Sequence, residues 1–309
     1  MGRMLVTGGA GFIGSHLVRG LLARGDEVVV LDDLTSGKSE NLPDDPRLTF
    51  VEGSILDGGL VGSTAAGCAG IFHLAAVASV IESVNEPVRT HRVNTEGTIN
   101  LLEAAAREGA RFVFSSSSAV YGEGPDAIKS ETSEIQPLSP YAVQKFSSEQ
   151  YVRVYSDLRE VGAVCLRYFN VFGPRQNPNS EYAAVVPKFV RRALDGGAVT
   201  IFGDGEQTRD FVHVDDVVRA NVAAFESHVA DGRPINVASG RAISVNELAV
   251  AVFEALGQEP RIEYAPARSG EVKHSRAGID ALAESLGMKP QTDLRRDLAA
   301  LADAMRTPD

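Results

Sequence analysis

The chain has 309 residues, with 44% hydrophobic residues, 30 glycines, 30 Lys and Arg, and 41 Asp and Glu. This length predicts one large domain or two modest ones, and the apolar content excludes a disordered chain. The formal net charge of −11 argues against sequence-independent binding of nucleic acid, because no basic surplus offsets the phosphate charge.

The cysteines and the apolar runs narrow the class of protein further. Cys68 and Cys165 are the only cysteines, which excludes a disulfide framework and a cysteine zinc site. The longest strongly apolar run, Val28–Leu31, is far shorter than the roughly 18 residues of a membrane-spanning helix. A structural motif already begins at Thr7, so we expect no secretory peptide, no membrane association and a cytoplasmic location.

Strand-like and helix-like segments alternate from the first residues of the chain. The predicted strands are short apolar runs at Met4–Val6, Glu27–Leu31, Leu48–Val51, Gly70–Leu74, Arg111–Ser115 and Ala163–Tyr168. Such runs are typical of strands that are buried on both faces of a parallel sheet. The alternation therefore predicts an α/β fold with a doubly wound parallel sheet of the Rossmann type.

The predicted helices lie between these strands. Apolar residues spaced by four begin at Ile13, and two longer helical stretches cover Val88–Arg107 and Pro140–Arg159. The last stretch begins with a capping serine followed by proline at the first helical position. Gly109 and Gly162 lie where C-terminal caps are expected.

The pattern changes after residue 169, where a polar, turn-rich stretch covers residues 170–182. A predicted helix at Val185–Leu194, a predicted strand at Val199–Phe202 and a capping box at Ser244-x-x-Glu247 follow. We therefore predict a Rossmann domain of residues 1–169 plus about 200–230. Residues 170–199 plus about 231–309 are expected to form a smaller α/β lobe.

A glycine-rich turn, Thr7-Gly8-Gly9-Ala10-Gly11-Phe12-Ile13-Gly14, joins the first strand to the first helix. Glycines without a Cβ let the backbone approach a pyrophosphate, and the helix N-terminus then faces the phosphates. Asp32 ends the next strand, roughly 20 residues further on, where a carboxylate accepts hydrogen bonds from a ribose. Asp33 beside it would repel a 2′-phosphate, so the motif predicts NAD rather than NADP. The contacts predicted from this motif are Gly8, Gly11, Phe12, Ile13 and Asp32.

Tyr141 and Lys145 lie one turn apart on the same face of the helix that begins at Pro140. A nearby ammonium favours the phenolate form of a tyrosine, which makes it a usable base. Tyrosine and lysine at this spacing are also common on solvated faces, so the pair alone is weak evidence. The serine run that begins at Ser115 strengthens it, because this run follows a strand at the end where open α/β sheets bind ligands.

Together these motifs resemble the extended short-chain dehydrogenase/reductase family, in its nucleotide-sugar 4-epimerase branch. The resemblance runs from the glycine-rich turn to Arg268-Ser269-Gly270-Glu271 and so covers nearly the whole chain. It implies that Ser117, Tyr141 and Lys145 are the catalytic set. The further NAD contacts that it implies are Ser54, Ile55, Leu74, Ala75, Ala76, Asn94, Tyr141, Lys145 and Tyr168. Ser54 departs from the aspartate that the family usually has at its adenine contact.

The resemblance also implies a UDP-sugar substrate, bound mainly by the smaller lobe. Arg209 and Arg268 would hold the diphosphate, and Glu271 would contact the uridine ribose, where the family commonly has aspartate. The other substrate contacts that it implies are Ser117, Asn170, Ala184, Val185 and Ser275. Ser275 is a small residue at the position beside the C2 substituent, which implies room for an N-acetyl group.

Relatives that dehydrate or decarboxylate their substrate carry an acid just after the catalytic serine position, where this chain has Ser118 and Ala119. The resemblance therefore implies a 4-epimerase of UDP-glucose/UDP-galactose and of UDP-GlcNAc/UDP-GalNAc that acts through a transient 4-keto sugar. One alternative is a UDP-glucuronate 4-epimerase, for which Arg175 is the candidate partner of the C6 carboxylate. Another is a non-catalytic regulator that binds NAD or a nucleotide sugar. We expect no metal, and we interpret His213 as structural.

The two long helices predict an assembly. They carry apolar residues on more than one face, namely Ile99, Leu101 and Leu102 on the first and Val152, Val154 and Leu158 on the second. Relatives pair these helices with those of a second copy in a four-helix bundle. We therefore predict a homodimer.

Overall fold

The computed structural model describes residues 1–177, 185–229, 231–267 and 273–306. Its strands are β1 (Arg3–Thr7), β2 (Glu27–Asp32), β3 (Leu48–Glu52), β4 (Gly70–His73), β5 (Arg111–Ser117), β6 (Ala163–Tyr168), β7 (Asn170–Phe172), β8 (Val199–Phe202), β9 (Thr208–His213), β10 (Asp231–Val237), β11 (Ala242–Ser244) and β12 (Ile262–Ala265). Its α-helices are α1 (Phe12–Arg24), α2 (Gly58–Ala65), α3 (Val80–Asn85), α4 (Pro87–His91), α5 (Gly97–Glu108), α6 (Pro140–Arg159), α7 (Val185–Leu194), α8 (Val214–Glu226), α9 (Val245–Ala255), α10 (Asp280–Leu286) and α11 (Leu294–Arg306).

Seven parallel strands form the central sheet in the order β10-β6-β5-β4-β1-β2-β3. The predicted doubly wound parallel sheet is therefore confirmed, and its strands β1 to β6 coincide with the six apolar runs of the sequence. The strand order reverses beside β1, between β1 and β4. In open α/β sheets this switch point, at the carboxyl ends of the strands, is where ligands bind.

Helices cover both faces of this sheet, as the apolar strands require. Residues of α1, α8 and α10 pack against one face, in a core that includes Leu17, Val217 and Leu282. Residues of α2, α5 and α6 pack against the other face, in a core that includes Leu101 and Val152. No helix in the described ranges is long and apolar enough to cross a membrane.

Two smaller sheets lie outside the central one, with the strand orders β11-β9-β7 and β12-β8. A separate apolar core joins them to α7, α9 and α11, and it includes Phe172, Phe189, Phe211 and Phe253. The strand pairing differs from the predicted division of the chain at three strands. β10 is the seventh strand of the central sheet. β8 pairs with β12, and β9 pairs with β7 and β11, rather than with the Rossmann strands.

The helix ends follow the predicted caps with one exception. Ser139 accepts a hydrogen bond from the Ala142 amide at 3.2 Å and so caps α6, and both hydrogen bonds of the predicted capping box are formed at the start of α9. Gly109 ends α5 in the left-handed conformation. The prediction for Gly162 is wrong, because Glu160 adopts the left-handed conformation and α6 ends two residues earlier.

The predicted helix at Val88–Arg107 is interrupted by a π-helical turn at Arg92–Glu96, between α4 and α5. Within this turn the Asn94 carbonyl accepts hydrogen bonds from the hydroxyls of Thr98 and Ser148, at 2.7 and 3.0 Å. Such turns are rare and occur frequently at functional sites. This turn directs the Asn94 side chain toward the loop after β4, where the candidate site begins.

Candidate active site

The glycine-rich turn between β1 and α1 is built by close backbone contacts. A Cβ on Gly14 would lie 2.1 Å from the Gly8 oxygen, and a Cβ on Gly8 would lie 2.7 Å from the Ala75 amide nitrogen. Both positions therefore exclude any larger residue. A Cβ on Gly11 would meet only the Gly8 oxygen, at 3.2 Å, so this side of the turn is open. Gly11 also begins α1 without a side-chain cap, which leaves the first amides of the helix available to an anion.

Asp32, at the end of β2, faces the same turn. Its carboxylate accepts hydrogen bonds from the amides of Ala10 and Leu34, both at 2.9 Å, and it is 8% exposed. Burial raises the pKa of this carboxyl, and the two amide hydrogen bonds oppose that shift. The amides fix the orientation of the carboxylate while oxygen lone pairs remain for a ligand. An open anion cradle with an acid beside it fits a dinucleotide.

A chain of hydrogen bonds connects the turn to the π-helical segment. The Thr98 hydroxyl donates to the Asn94 carbonyl, so it accepts from Nε2–H of His73 at 3.0 Å. Nδ1 of His73 therefore accepts from the Thr7 hydroxyl at 2.8 Å, which in turn accepts from the Ala75 amide at 3.3 Å. Burial lowers the pKa of His73 well below its usual value and so holds the ring neutral. This network fixes the loop that begins at Leu74 against the glycine-rich turn.

Asn94 holds the next part of that loop and ties it to α6. Its Oδ1 accepts from the Val77 amide at 2.8 Å, and its Nδ2 donates to the Val77 carbonyl at 3.1 Å and to Gln144 Oε1 at 2.8 Å. Gln144 immediately precedes Lys145 on α6. Asn94 is buried, and its side chain connects the loop to α6 through these three hydrogen bonds.

Tyr141 lies in the first turn of α6 beside the end of β5. Its backbone amide donates to the Ser83 hydroxyl at 3.0 Å, and its phenol lies beside the Ser117 hydroxyl. Burial raises the pKa of Tyr141, while the nearby Ser117 hydroxyl acts in the opposite direction. At neutral pH the phenol therefore keeps its proton and cannot act as a base unless positive charge nearby favours the phenolate.

Lys145 supplies that charge from one turn further along α6. Its Nζ donates to the Ser115 carbonyl at 2.8 Å and lies 5.0 Å from the centre of the Phe114 ring and 6.0 Å from that of Tyr141. Burial lowers the pKa of Lys145 to about 8, and the charge of Glu149 opposes the shift. The side chain is 3% exposed, so α6 and β5 hold a nearly buried ammonium beside the phenol.

Glu149, a further turn along α6, forms a buried ion pair that sequence reasoning missed. Its two carboxylate oxygens accept from Nε and Nη2 of Arg167 at 2.8 and 2.7 Å, and Oε1 also accepts from the Ser116 hydroxyl at 2.5 Å. Nη1 of Arg167 donates to the Tyr121 hydroxyl at 2.9 Å. The pair therefore joins α6, β5, β6 and the segment after β5, one helical turn from Lys145. The only sequence signal was the four-residue spacing of Tyr141, Lys145 and Glu149.

A cavity of about 1000 Å³ extends from Ser117 and Tyr141 toward the smaller lobe. It is large enough for a drug-sized or larger ligand. At one end it is lined by Ser117, Tyr141 and the residues after β5, and at the other end by residues of α7 and β8. The structure brings five predicted site residues to this cavity besides Ser117 and Tyr141, namely Tyr168, Asn170, Val185, Arg209 and Ser275.

The side chains of two of these residues are held by main-chain carbonyls of β9. Asn170 Nδ2 donates to the Asp210 carbonyl at 3.1 Å, and Arg209 Nη1 donates to its neighbour's carbonyl, that of Thr208, at 2.9 Å. Tyr168 lines the cavity at the end of β6, but its hydroxyl accepts from Nδ2 of Asn221 on α8 at 2.7 Å. Its ring therefore anchors β6 to α8.

Ser54 and Ile55 follow β3, whose neighbour β2 ends at Asp32. The Ser54 hydroxyl accepts from the Leu56 amide at 3.2 Å and so caps its own turn. The Ile55 side chain is buried, and its carbonyl accepts from Nδ2 of Asn100 at 3.0 Å. Both residues thus lie near the Asp32 end of the turn. Ala76 lies between the two parts of the loop fixed by His73 and Asn94.

Three predicted residues, Ala184, Arg268 and Glu271, lie outside the described residues. Arg175 does not line the cavity, because its Nε donates to the Ser15 hydroxyl on α1 at 2.9 Å. His213 caps α8 through a bond from the Asp215 amide and packs its ring edge against Phe172. In the described ranges, no three His, Cys, Asp or Glu side chains are grouped as metal ligands would be.

Known proteins with similar sequences match nearly the whole length of this chain. The sequence profile described as "NAD dependent epimerase/dehydratase family" matches residues 4–238. The chain is 42% identical to the UDP-glucose 4-epimerase of Mycolicibacterium smegmatis, over 98% of both chains.

Two solved structures have the same fold at similar identity. The UDP-N-acetylglucosamine 4-epimerase of Methanobrevibacter ruminantium, in complex with UDP-N-acetylmuramic acid, superimposes with a TM-score of 0.95 at 39% identity, over 99% of this chain and 98% of that one. The UDP-glucose 4-epimerase of Thermus thermophilus, in complex with NAD, gives 0.90 at 39% identity, over 99% and 100%. The resemblance drawn from the motifs is therefore confirmed.

Proposed function

The chain belongs to the NAD dependent epimerase/dehydratase family, and from this premise we propose that it is an NAD-dependent 4-epimerase of UDP-hexoses. The observation that carries this proposal is the meeting of Ser117 and Tyr141, with Lys145 behind them, at one end of a cavity that continues to Arg209. Its substrates are UDP-glucose and UDP-galactose, and also UDP-GlcNAc and UDP-GalNAc.

NAD is held at the carboxyl ends of β1, β2 and β4. The first amides of α1, from Phe12 and Ile13, bind the pyrophosphate beside Gly8 and Gly11, and Asp32 accepts from the adenosine ribose. The open side of Gly11 and the fixed carboxylate of Asp32 support this assignment. We assign Ser54 and Ile55 to the adenine end, and the loop of Leu74, Ala75 and Ala76 to the nicotinamide side, with Asn94 holding that loop.

The residues of this chain move the proton of the reaction. Tyr141 takes the proton from the C4 hydroxyl as a general base and returns it at the end, and the Ser117 hydroxyl hydrogen-bonds the same oxygen. The Lys145 ammonium favours the phenolate form of Tyr141 against the effect of burial. NAD, when bound, accepts the hydride from C4 and gives it back. The two epimers differ only in the face that receives the hydride, and the wide cavity leaves the 4-keto sugar room to turn.

The smaller lobe binds the nucleotide, and the central seven-stranded sheet with its helices binds NAD. Arg209 and Arg268 bind the diphosphate, and Glu271 binds the uridine ribose. Ala184 and Val185 contact the uracil. Asn170 reaches toward the phosphates from β7, and Ser275 leaves space for an N-acetyl group on C2. The position of Asn170, Val185, Arg209 and Ser275 along one cavity supports this division. Arg175 bonds to α1, so nothing at its position favours a UDP-glucuronate substrate.

The proposal is tested by removing the phenol hydroxyl. Tyr141→Phe is expected to lower kcat for UDP-galactose by at least about a thousandfold, because it removes the only proposed base, while NAD content stays unchanged. Tyr151→Phe is the matched control, since Tyr151 lies on the same helix but is 40% exposed. NMR of the products separates the candidates. Wild-type turnover in Tyr141→Phe would contradict the mechanism, and wild-type protein that binds NAD but converts no UDP-hexose would favour a regulator.

A homodimer through α3, α4 and α6 is part of this proposal. Leu101, Leu102 and Val152 are fully buried against the central sheet and offer no outer surface. The exposed apolar side chains of the three helices are instead Val80, Ile81, Val84, Val88, Val143, Tyr151, Val154 and Leu158. Exposed apolar side chains on adjacent helices are typical of an interface, so they support pairing of these helices with those of a second copy.

We also propose that the enzyme acts in the cytoplasm. Cys68 and Cys165 are both buried, free thiols, as expected for a reducing compartment.

A further inference from the structure

A buried lysine that the proposed mechanism does not use lies at the catalytic end of the cavity. Lys129 is 3% exposed and lines the cavity together with Ser118, Ala119 and Tyr141. It belongs to the irregular segment between β5 and α6. The lysine therefore faces the same space as the catalytic phenol, where the hexose must bind if the proposed function holds.

The charge of Lys129 has little compensation from the protein. Its Nζ donates to the Gly124 carbonyl, and no second acceptor and no carboxylate within 4.0 Å is found for it in the described part of the chain. An ammonium has three N–H donors, so two remain available. Arg167, which is buried to the same extent, has instead a bidentate bond to Glu149. A buried charge is normally paired, so the missing partner at Lys129 points to a ligand.

The backbone of Lys129 is fixed independently of its ammonium. The Lys129 amide donates to the Arg276 carbonyl at 2.8 Å, and its carbonyl accepts from the Gly278 amide at 2.9 Å and from Asn236 Nδ2 at 2.9 Å. These three main-chain bonds fix the backbone of Lys129 beside the segment that carries Ser275, which also lines the cavity. The side chain is thus positioned by its backbone, and two of its three N–H donors are left for the cavity.

We propose that the Lys129 ammonium binds a carbonyl or carboxylate oxygen on a substituent of the hexose. This inference rests on the proposed function and makes Lys129 a specificity-determining residue of it. Such oxygens are acceptors only and bind a charged donor more strongly than hydroxyls do. UDP-hexoses that carry an acetamido group or a carboxylate are therefore favoured over UDP-glucose. The two groups share this chemistry, and the experiment distinguishes them.

The test compares Lys129→Met with the wild-type holoenzyme on UDP-GlcNAc, UDP-glucuronate and UDP-glucose. Methionine keeps the length and the apolar stem of the side chain but removes the charge. We expect kcat/KM to fall at least about tenfold for the sugar whose substituent Lys129 binds, and to stay within about twofold for UDP-glucose. Selective loss on UDP-GlcNAc identifies the acetamido carbonyl, and selective loss on UDP-glucuronate identifies the carboxylate.

Arg192→Met is the matched control, because Arg192 lines the far end of the cavity and is expected to change the three substrates alike. NAD content and Tm report on folding, and Lys129→Gln replaces the methionine variant if that variant is unstable. Equal loss on all three sugars, or no loss on any, would overturn the inference. Failure of the proposed function has a different signature, because the wild type would then turn over none of them. In that case the same comparison is made on dissociation constants, where equal weakening overturns the inference.

Discussion

Lys145 is expected to destabilise the folded protein while it serves the active site. Burial lowers its pKa from 10.5 to about 8. One pKa unit corresponds to about 1.4 kcal/mol, so keeping the ammonium folded at pH 7 costs about 3 kcal/mol relative to the unfolded chain. Lys145→Met removes this cost and keeps the apolar stem over the Phe114 ring. It also leaves the Ser115 carbonyl without its donor, which costs about 1 kcal/mol.

The net gain for Lys145→Met at pH 7 is therefore about 2 kcal/mol, or about 4 °C in Tm for a chain of this size. The sign follows from linkage: the folded pKa lies below the unfolded value, so the cost is complete below pH 8 and disappears as the pH rises toward 10.5. The advantage of the variant is accordingly expected at pH 7 and lost near pH 10. Turnover is expected to fall at both pH values, because the charge beside Tyr141 is gone.

Scanning calorimetry on nucleotide-stripped protein at pH 7 and pH 10 measures this directly, since bound NAD would add its own stabilisation. Lys38→Met is the control, because Lys38 is 64% exposed and a surface change of this kind has little effect. A lower Tm for Lys145→Met at pH 7 would refute the reasoning. An advantage that is the same at both pH values would show that the buried charge is not its cause.

Three further predictions concern residues around this site. Glu149→Gln removes the negative charge that raises the pKa of Lys145, so the alkaline limb of the pH–rate profile is expected to move to lower pH. The variant is also expected to lose about 3 kcal/mol in stability, because the buried Arg167 loses its partner. An alkaline limb at the wild-type pH would contradict this prediction. Ser275→Tyr fills part of the cavity, so turnover of UDP-GlcNAc is expected to fall more than about tenfold while turnover of UDP-glucose is unchanged. Equal losses on both substrates would argue against the assignment of Ser275. Light scattering at micromolar concentration should give the mass of a dimer, and Leu158→Glu, at a side chain that is 75% exposed, should give a monomer; a monomeric wild type would exclude the proposed assembly.

The central sheet was predictable because its strands are continuous apolar runs separated by helical patterns. β2 and β6 are buried along nearly their whole length, and their sequences show it. β10 was assigned to the other lobe because it begins with Asp-Gly-Arg-Pro and only its second half is buried. Its place beside β6 depends on pairing between residues almost 70 positions apart, which no local pattern carries. The pairing of β8 with β12 was missed for the same reason.

The candidate site was predictable where its chemistry is local in sequence. The spacing of Tyr141 and Lys145 on one helix and the serine run at a strand end are both visible in a single sequence. The partners of Asn94 and the ion pair of Glu149 with Arg167 were not, because they join segments that meet only in the folded chain. Lys129 was missed too, since a lone lysine in an irregular segment has no signal until the fold buries it.

The serine run has a more specific meaning in the fold than a polar turn at the end of a strand. Three successive residues of β5 lie beside α6: the Ser115 carbonyl accepts from Lys145, the Ser116 hydroxyl donates to Glu149, and the Ser117 hydroxyl lies beside the phenol of Tyr141. Ser117, at the end of the strand, lines the cavity, and the Ser116 hydroxyl reaches the buried ion pair. The run therefore places the proposed catalytic phenol and the buried ion pair of Glu149 with Arg167 beside adjacent residues of one strand.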